Sequence, residues 1–423
     1  MATFTGATAH ASLRQSILGQ KVTIPSIYKT FPDWKPRLHE YHERARDEVL
    51  DPWIEKWVID KRTMKALKTA DFGVFAAVWC PDAPFDVLCT AAKYFAWYFV
   101  YDDIFDCGTL KHDEILASEY RAASLHYFRF SLLGEGLAPD LSCFDIDLQN
   151  GLECWNEIGE HICQVSSRST REVLCDEMIR YVGSLNNVDS IFSAHGTPTI
   201  EQYWERREAT AAAHCVIATL PFIYGVEIDR ADVQSESMQK LWRHTSYFVH
   251  ITNDMLSFRK EVNDDQIENL IPVLMLNREI DCNTAMSRAY QLLQNEADGF
   301  HEAEAQLDRK SQGKSKVISD LFREGCLNVA MGLTHWSYLG DRYFKVWERD
   351  EHDVIQFTVE SPKSKINASM KVETPKKEFD QILLSQSFLQ YAISAAVQYS
   401  PFIMMTVAVM VPRLNIFFPR QKA

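Results

Sequence analysis

The chain has 423 residues, of which 46% are hydrophobic and 12% aromatic, and its formal net charge is −14. That length accommodates about two or three average domains and a large apolar core. So acidic a chain lacks the basic surface with which a general nucleic-acid binder neutralises phosphates, whereas a small anionic substrate needs only a few well-placed arginines and lysines.

Glycine and proline are sparse, at 16 and 15, which suits long helices better than many tight turns. The ten cysteines contain no CxxC pair and no zinc-like spacing, the nearest pairs being Cys80/Cys89 and Cys154/Cys163, so they read as reduced thiols of a cytosolic protein. The opening stretch MATFTGATAHASLRQSILGQK has no continuous apolar run for a signal peptide, and residues 1–24 are expected to form a flexible tail.

From there helical periodicity dominates. PRLHEYHERARDEVLDPWIEKWVI carries an apolar stripe through Leu38, Tyr41, Val49, Trp53 and Trp57. His39 and His42 are three apart, but the sequence is not HExxH, and a solvated helix face accounts for them. ADFGVFAAVWCPDAPFDVLCTAAKYFAWYFVY reads as two buried helices separated by a turn at Pro81 and Pro84, because proline cannot continue a helix interior. Thr199 and Gln202 have capping-box spacing and predict a helix start. Further helices are expected at 237–263, 283–308 and 315–347, with no strand-period alternation and no internal repeat.

The simplest account is an all-α chain with one helical domain over 25–350. Residues 351–380 read as a polar linker. Residues 381–423 form an apolar tail without an assigned role. It has no charge from Gln381 to Pro412, but its densest run, PFIMMTVAVMVP, falls short of the roughly 20 apolar residues of a spanning helix. A helix packed on the body or a poorly ordered tail fits better than membrane association.

The segment NDMLSFRKE carries the first candidate chemistry. Asn253, Ser257 and Glu261 are spaced i, i+4, i+8, and since each step of four drifts only about 40°, their oxygens share one face. An amide oxygen, a hydroxyl and a carboxylate are hard ligands suited to magnesium. The plain alternative is a solvated polar face, but Phe248, Val249, Ile251, Met255 and Leu256 around the row leave this helix little free surface.

Asp102 and Asp106 in DDIFD are likewise i, i+4, with Asp103 beside the first and Phe95, Tyr98 and Phe99 about one turn upstream. Alone this is an ordinary acidic helix end; beside a second oxygen-ligand helix it reads as a metal site at an aromatic rim. Arg207 in WERREAT stands 46 residues before Asn253, Lys260 adjoins Glu261, and HWSYLGDRYFKVW supplies Arg342 and Tyr343. Arg207 sits next to glutamates and by itself reads as a surface ion pair of little energetic worth. Together, metal ligands with Arg, Lys and Tyr donors are what a diphosphate requires.

These four motifs, in this order and spacing, resemble the class I terpene synthases of the microbial, fungal type. The matching elements are the aspartate-rich DDIFD, the N-D-x-x-S-x-x-x-E segment, an upstream diphosphate-sensing arginine in the context R-x-x-T at Arg207 and Thr210, and a late Arg-Tyr pair. The resemblance covers about residues 25–350, with no motif residue substituted; the tail beyond about 360 departs from it.

It implies a helical bundle around a deep apolar cavity and three magnesium ions. Asp102, with Asp106, would ligate from one wall and Asn253, Ser257 and Glu261 from the other, while Arg207, Lys260, Arg342 and Tyr343 grip the diphosphate. Phe95, Tyr98, Phe99 and Trp336 are the candidate cavity wall, against the plain reading that aromatics at helical spacing are core. The implied reaction is that of a carbon–oxygen lyase: ionisation of a linear prenyl diphosphate, with farnesyl diphosphate and a sesquiterpene product favoured and geranylgeranyl diphosphate the alternative. Homodimers are common in the family. A chain-elongating prenyl diphosphate synthase would need a second aspartate-rich motif where NDMLSFRKE stands. A non-catalytic helical protein tethered to membranes by its tail would not need every ligand position intact.

Overall fold

The structure, a computed structural model, describes residues 6–360 apart from 107, 186–197, 265 and 267. Among these, helices follow one another almost without interruption. Helix α1 (Gly6–Ile17) leads into strand β1 (Lys21–Ile24); α2 (His42–Ala45) and α3 (Asp51–Trp57) are joined by a π turn at Arg46–Leu50. Then come α4 (Lys61–Ala70), α5 (Phe72–Trp79), α6 (Phe85–Asp106), α7 (Glu114–Leu133), α8 (Ile146–Glu153), α9 (Asn156–Val165) and α10 (Arg168–Ser184). After the undescribed stretch follow α11 (Ile200–Thr210), α12 (Ala213–Ala218), α13 (Leu220–Tyr224), α14 (Arg230–Val233), α15 (Glu236–Asn263), α16 (Leu270–Arg278), α17 (Cys282–Lys310), α18 (Lys314–Leu339) and strand β2 (Ile355–Thr358).

Local chemistry sets the starts of these helices. Side-chain oxygens of Asp60, Asp113, Asp145, Ser167, Ser235 and Asp281 each accept from the backbone N–H three residues on, covering an otherwise unmet donor. Thr199 and Gln202 form the reciprocal capping box expected for α11. Gly134 and Gly225, with φ of 67° and 64°, close α7 and α13 in the left-handed conformation that glycine adopts without steric cost.

Two long helices organise the core. α15 packs along α17 and α18, α18 packs on α5, and α5 packs on α6. Burial surrounds α15: Phe248, Val249, Ile251, Met255 and Leu256 are all inside, as their sequence context requires. The seam between α5, α6 and α18 is a stack of rings, in which Trp336 lies 4.6 Å from Phe75 and 5.7 Å from Phe72 between ring centres.

The structure departs from the sequence reading at the chain's ends. Residues 6–24 are not a tail, because α1 buries Leu13 and Ile17, and β1 pairs antiparallel with β2 from Lys21↔Thr358 to Ile24↔Ile355. This ribbon also draws part of the expected 351–380 linker into the body. Four-residue strands are too short for alternation to stand out, and their pairing partner is more than 300 residues away. The expected helix at 315–347 ends at Leu339, where Gly340 leaves the helical conformation. His39 is not on a solvated face: it is buried ahead of α2 and its Nε2 meets the Ala83 carbonyl at 2.8 Å, while Leu38 and Tyr41 are exposed. The rest of the linker and the apolar tail at 381–423 lie outside the described residues, among which no helix is long and apolar enough to cross a membrane.

Candidate active site

Helix α15 presents Asn253, Ser257 and Glu261 in one row. Asn253 and Glu261 are half-buried, while Ser257 is 2% exposed and its Oγ has no hydrogen-bond partner among the described residues. A buried hydroxyl left unmatched costs about 1–3 kcal/mol, a cost that a ligand bound along this row would relieve. The donor set of amide, hydroxyl and carboxylate oxygens fits a hard divalent cation.

Around that row the separate motifs converge. Arg207, on α11, donates through Nη2 to Asn253 Oδ1 at 3.0 Å and to Asp254 Oδ1 at 2.9 Å. Asn253 in turn donates through Nδ2 to the Tyr343 hydroxyl at 3.3 Å. Tyr343 and Arg342 follow α18 in an irregular segment rather than on the helix. The Arg342 guanidinium lies 4.6 Å from the centre of the Phe99 ring, three residues before Asp102 on α6. Hydrogen bonds thus link Arg207 through Asn253 to Tyr343, and the neighbouring Arg342 reaches the aspartate-bearing helix through the Phe99 ring.

Electrostatics tie the walls together. Asp103 is exposed, yet the protein packed around its base still displaces enough solvent to raise its carboxyl above the usual range, and Arg342 and then Lys260 oppose that rise. Asp102 is half-buried; α6 extends through Asp106, whose side chain lies outside the described residues. Lys260 is 3.2 Å from Asp264 one turn on.

Sequence reasoning missed the support beneath the site. Asp254 is 1% exposed and accepts from Arg207, from the Tyr203 hydroxyl and, at 2.9 Å, from the backbone N–H of Leu270. Burial first, then the nearby Glu261 carboxylate, push Asp254 well above the usual carboxylate range, and the Leu270 N–H opposes them. Asn269 donates to Glu261 Oε2 at 2.9 Å and to the Asp254 carbonyl at 2.8 Å, bracing the far end of the row from α16. One signal for Tyr203 was available: it stands four residues before Arg207 and so shares its helix face. Asp254 stood in the motif itself, but its offset from the ligand row disguised its task.

The four aromatic candidates fall into two groups. Phe99, Phe95 and Trp336 belong to the ring stack: Phe99 is 6.0 Å from Trp336, Phe95 is 5.6 Å from Phe75, and Trp336 meets the Tyr343 ring at 6.1 Å. Tyr98 leaves α6 on another side, where its hydroxyl contacts Tyr94 and donates to Met178 Sδ at 3.1 Å. A separate cleft of about 340 Å³, lined in part by Pro81, Val87, Phe222 and Tyr224, sits at the opposite end of α6. Fifteen residues separate Val87 from Asp102, about 22 Å of helix.

Residues 93–298 match terpene synthase family 2, C-terminal metal binding. The sesquiterpene cyclase hepA of Aspergillus oryzae is 23% identical over 345 residues, spanning 78% of this chain and 91% of the relative. Terpene cyclase 4 of Gibberella fujikuroi is 28% identical over 332 residues, spanning 77% and 86%. Among solved structures, linalool/nerolidol synthase from Streptomyces clavuligerus, in complex with 2-fluorogeranyl diphosphate, superposes with a TM-score of 0.59 at 20% identity, covering 74% of this chain and 98% of that one. The metal-binding match spans the helices that carry DDIFD and NDMLSFRKE, so residues 93–298 form a terpene synthase metal-binding region, and the chain has the all-α class I terpenoid-synthase fold.

Proposed function

We propose that the protein is a magnesium-dependent terpene cyclase that ionises farnesyl diphosphate, releases diphosphate and closes the resulting carbocation into a sesquiterpene hydrocarbon or alcohol. The observation that carries this reading is Arg207 hydrogen-bonded to Asn253, which is itself bonded to Tyr343, beside the buried and unmatched hydroxyl of Ser257. Three separately recognised motifs meet there around one polar point. The relative named as a sesquiterpene cyclase supports the fifteen-carbon substrate, and the structural neighbour bound to 2-fluorogeranyl diphosphate supports the substrate class.

Asp102, with Asp106, and Asn253, Ser257 and Glu261 are the residues that would hold magnesium, expected as three ions, and bound metal supplies the neutralising charge that makes diphosphate a good leaving group. Arg207, Lys260, Arg342 and the Tyr343 hydroxyl donate to the phosphate oxygens, with guanidinium groups suited to paired contacts. Heterolysis of the allylic carbon–oxygen bond leaves both electrons on the diphosphate and a cation on the chain, so no protein nucleophile is required. Phe99, Phe95 and Trp336 offer ring faces to that cation and keep water from it. Ring closure ends by loss of a proton or capture of water. Free thiols at every described cysteine accord with a cytosolic setting.

The test is incubation of the purified chain with magnesium and, separately, geranyl, farnesyl and geranylgeranyl diphosphate, with products read by gas chromatography–mass spectrometry. A cyclic fifteen-carbon product from farnesyl diphosphate that vanishes without metal supports the proposal. A product from geranylgeranyl diphosphate alone reassigns the substrate, and no metal-dependent product from any of the three refutes it.

A further inference from the structure

Arg259 lies between Ser257 and Glu261 in sequence but points away from their row, since two residues turn a helix by about 200°. Both terminal nitrogens of its guanidinium are engaged. Nη1 and Nη2 meet Glu348 Oε1 and Oε2 at 2.6 and 2.8 Å, Nη2 also donates to the Tyr343 carbonyl at 3.0 Å, and the group rests 4.9 Å from the centre of the Phe357 ring on β2. Glu348 additionally accepts from the backbone N–H of Lys345 at 2.7 Å.

This is not an ordinary surface pair, because Arg259 and Glu348 are only 20% and 26% exposed and the contact is a two-pronged, charge-assisted one. Tyr343 is consequently held at both ends by one helix: Asn253 bonds its hydroxyl and Arg259 its carbonyl. Those two anchors are six residues apart on α15, about 9 Å, so the tyrosine is laid along the helix. Residues 341–345 have no helical ladder of their own after Gly340, so these side-chain anchors set the direction in which Arg342 leaves the backbone.

We propose that Arg259 is a positioning residue for catalysis, fixing Tyr343 and Arg342 against the helix that carries the metal candidates so that both groups address the diphosphate together. The inference rests on the reading of Arg342 and Tyr343 as diphosphate donors. Arg259 acts only through the Tyr343 carbonyl and Glu348 and touches no substrate.

The experiment uses the full chain and Arg259→Met, Arg259→Lys, Glu348→Gln, Arg342→Met and the Arg259→Met/Arg342→Met double variant. Magnesium-dependent affinity for inorganic diphosphate is measured by calorimetry, kcat and KM are measured with farnesyl diphosphate, and circular dichroism checks the fold. Arg259→Met is expected to weaken diphosphate binding and lower kcat/KM about tenfold or more, with Arg259→Lys intermediate because an ammonium cannot make the paired contact. The double variant is expected to be no worse than Arg342→Met, because both changes act through one group. A folded Arg259→Met protein with wild-type affinity and rate, or losses that multiply in the double variant, would overturn the inference. If Arg259→Met does not fold, Glu348→Gln carries the same comparison. Wild-type protein that binds no diphosphate would sink the site reading itself, whereas wild-type binding with unaffected variants sinks this inference alone.

Discussion

The Arg207 guanidinium makes two bonds through a single nitrogen, to Asn253 at 3.0 Å and to the buried Asp254 at 2.9 Å. The proposed diphosphate-binding arginine and a metal candidate are therefore joined without any ligand, with Asp254 holding the arginine in place. The pairing makes Asp254 a structural hostage of Arg207, and that has a measurable consequence. Removing one member of a buried pair strands the other and typically costs about 3–5 kcal/mol, more than replacing both. Arg207→Met and Asp254→Leu should each lower the unfolding midpoint strongly, and the double variant should recover part of the loss. Urea unfolding of the three proteins checks this, and losses that simply add would contradict the coupling.

Ser257 offers a cleaner view of the proposed metal site, because its hydroxyl has no hydrogen-bond partner among the described residues. Ser257→Ala removes an unmatched polar atom from the interior and should leave the apoprotein as stable as the parent or slightly more so. Turnover at limiting magnesium should nonetheless fall by about tenfold or more, with partial recovery at high metal. A magnesium titration of rate separates the two effects, and an unchanged titration curve would remove Ser257 from the ligand set. Chelation of metal should abolish product in both proteins.

Phe99 and Tyr98 are neighbours on α6 with different surroundings, so their substitutions should diverge. Phe99→Leu withdraws the ring beneath Arg342 and disturbs the contact with Trp336, and both rate and product mixture should shift. Tyr98→Phe removes a hydroxyl engaged with Tyr94 and Met178, and should change the product mixture less. Product profiles from the two variants decide the point; the reverse order would mean that the Tyr98 side of α6 faces the reacting chain.

A pH effect on stability is expected from His214. Its Nδ1 meets Arg180 Nη1 at 2.9 Å, and because guanidinium can only donate, the imidazole must accept and stay neutral. Burial, then Arg180 and Arg243, push it down to about 3, despite Glu177 at 3.7 Å. A histidine neutral in the fold is protonated first in the unfolded chain, so its contribution is fully present above about pH 6.5 and declines as pH falls from there toward 3. Urea unfolding across that window should show a falling stability that flattens in His214→Gln. An identical slope in both proteins would assign the proton uptake elsewhere.

The terminal ribbon can be tested at Val22 and Ile24, which are 1% and 0% exposed. Ile24→Ala alone should cost about 2–5 kcal/mol by the usual loss on truncating a buried aliphatic side chain, and adding Val22→Ala should cost more. A change smaller than about 0.5 kcal/mol would make β1 dispensable to the body.

Much of this was written in local sequence. Helix periods, the capping box at Thr199 and Gln202, the proline turn before α6 and the i, i+4, i+8 row on α15 are short-range patterns, and each depends on residues within a few turns of one another. The candidate oxygen ligands and basic groups were legible for the same reason: their chemistry needs particular residue types at fixed spacing.

What sequence left undecided was whatever required two distant segments to meet. Asp254 is one residue from a recognised position, yet its partners come from Tyr203, Arg207 and Leu270 on separate elements. Glu348 reads as one more surface acid until Arg259 faces it. The opening residues read as a tail because a four-residue strand is stable only when another edge completes its hydrogen bonds, and that edge lies at Ile355–Thr358. Local sequence alone determined which groups this protein presents and in what periodic order; tertiary structure alone decided which of them meet, because burial and long-range pairing depend on where the whole chain comes to rest.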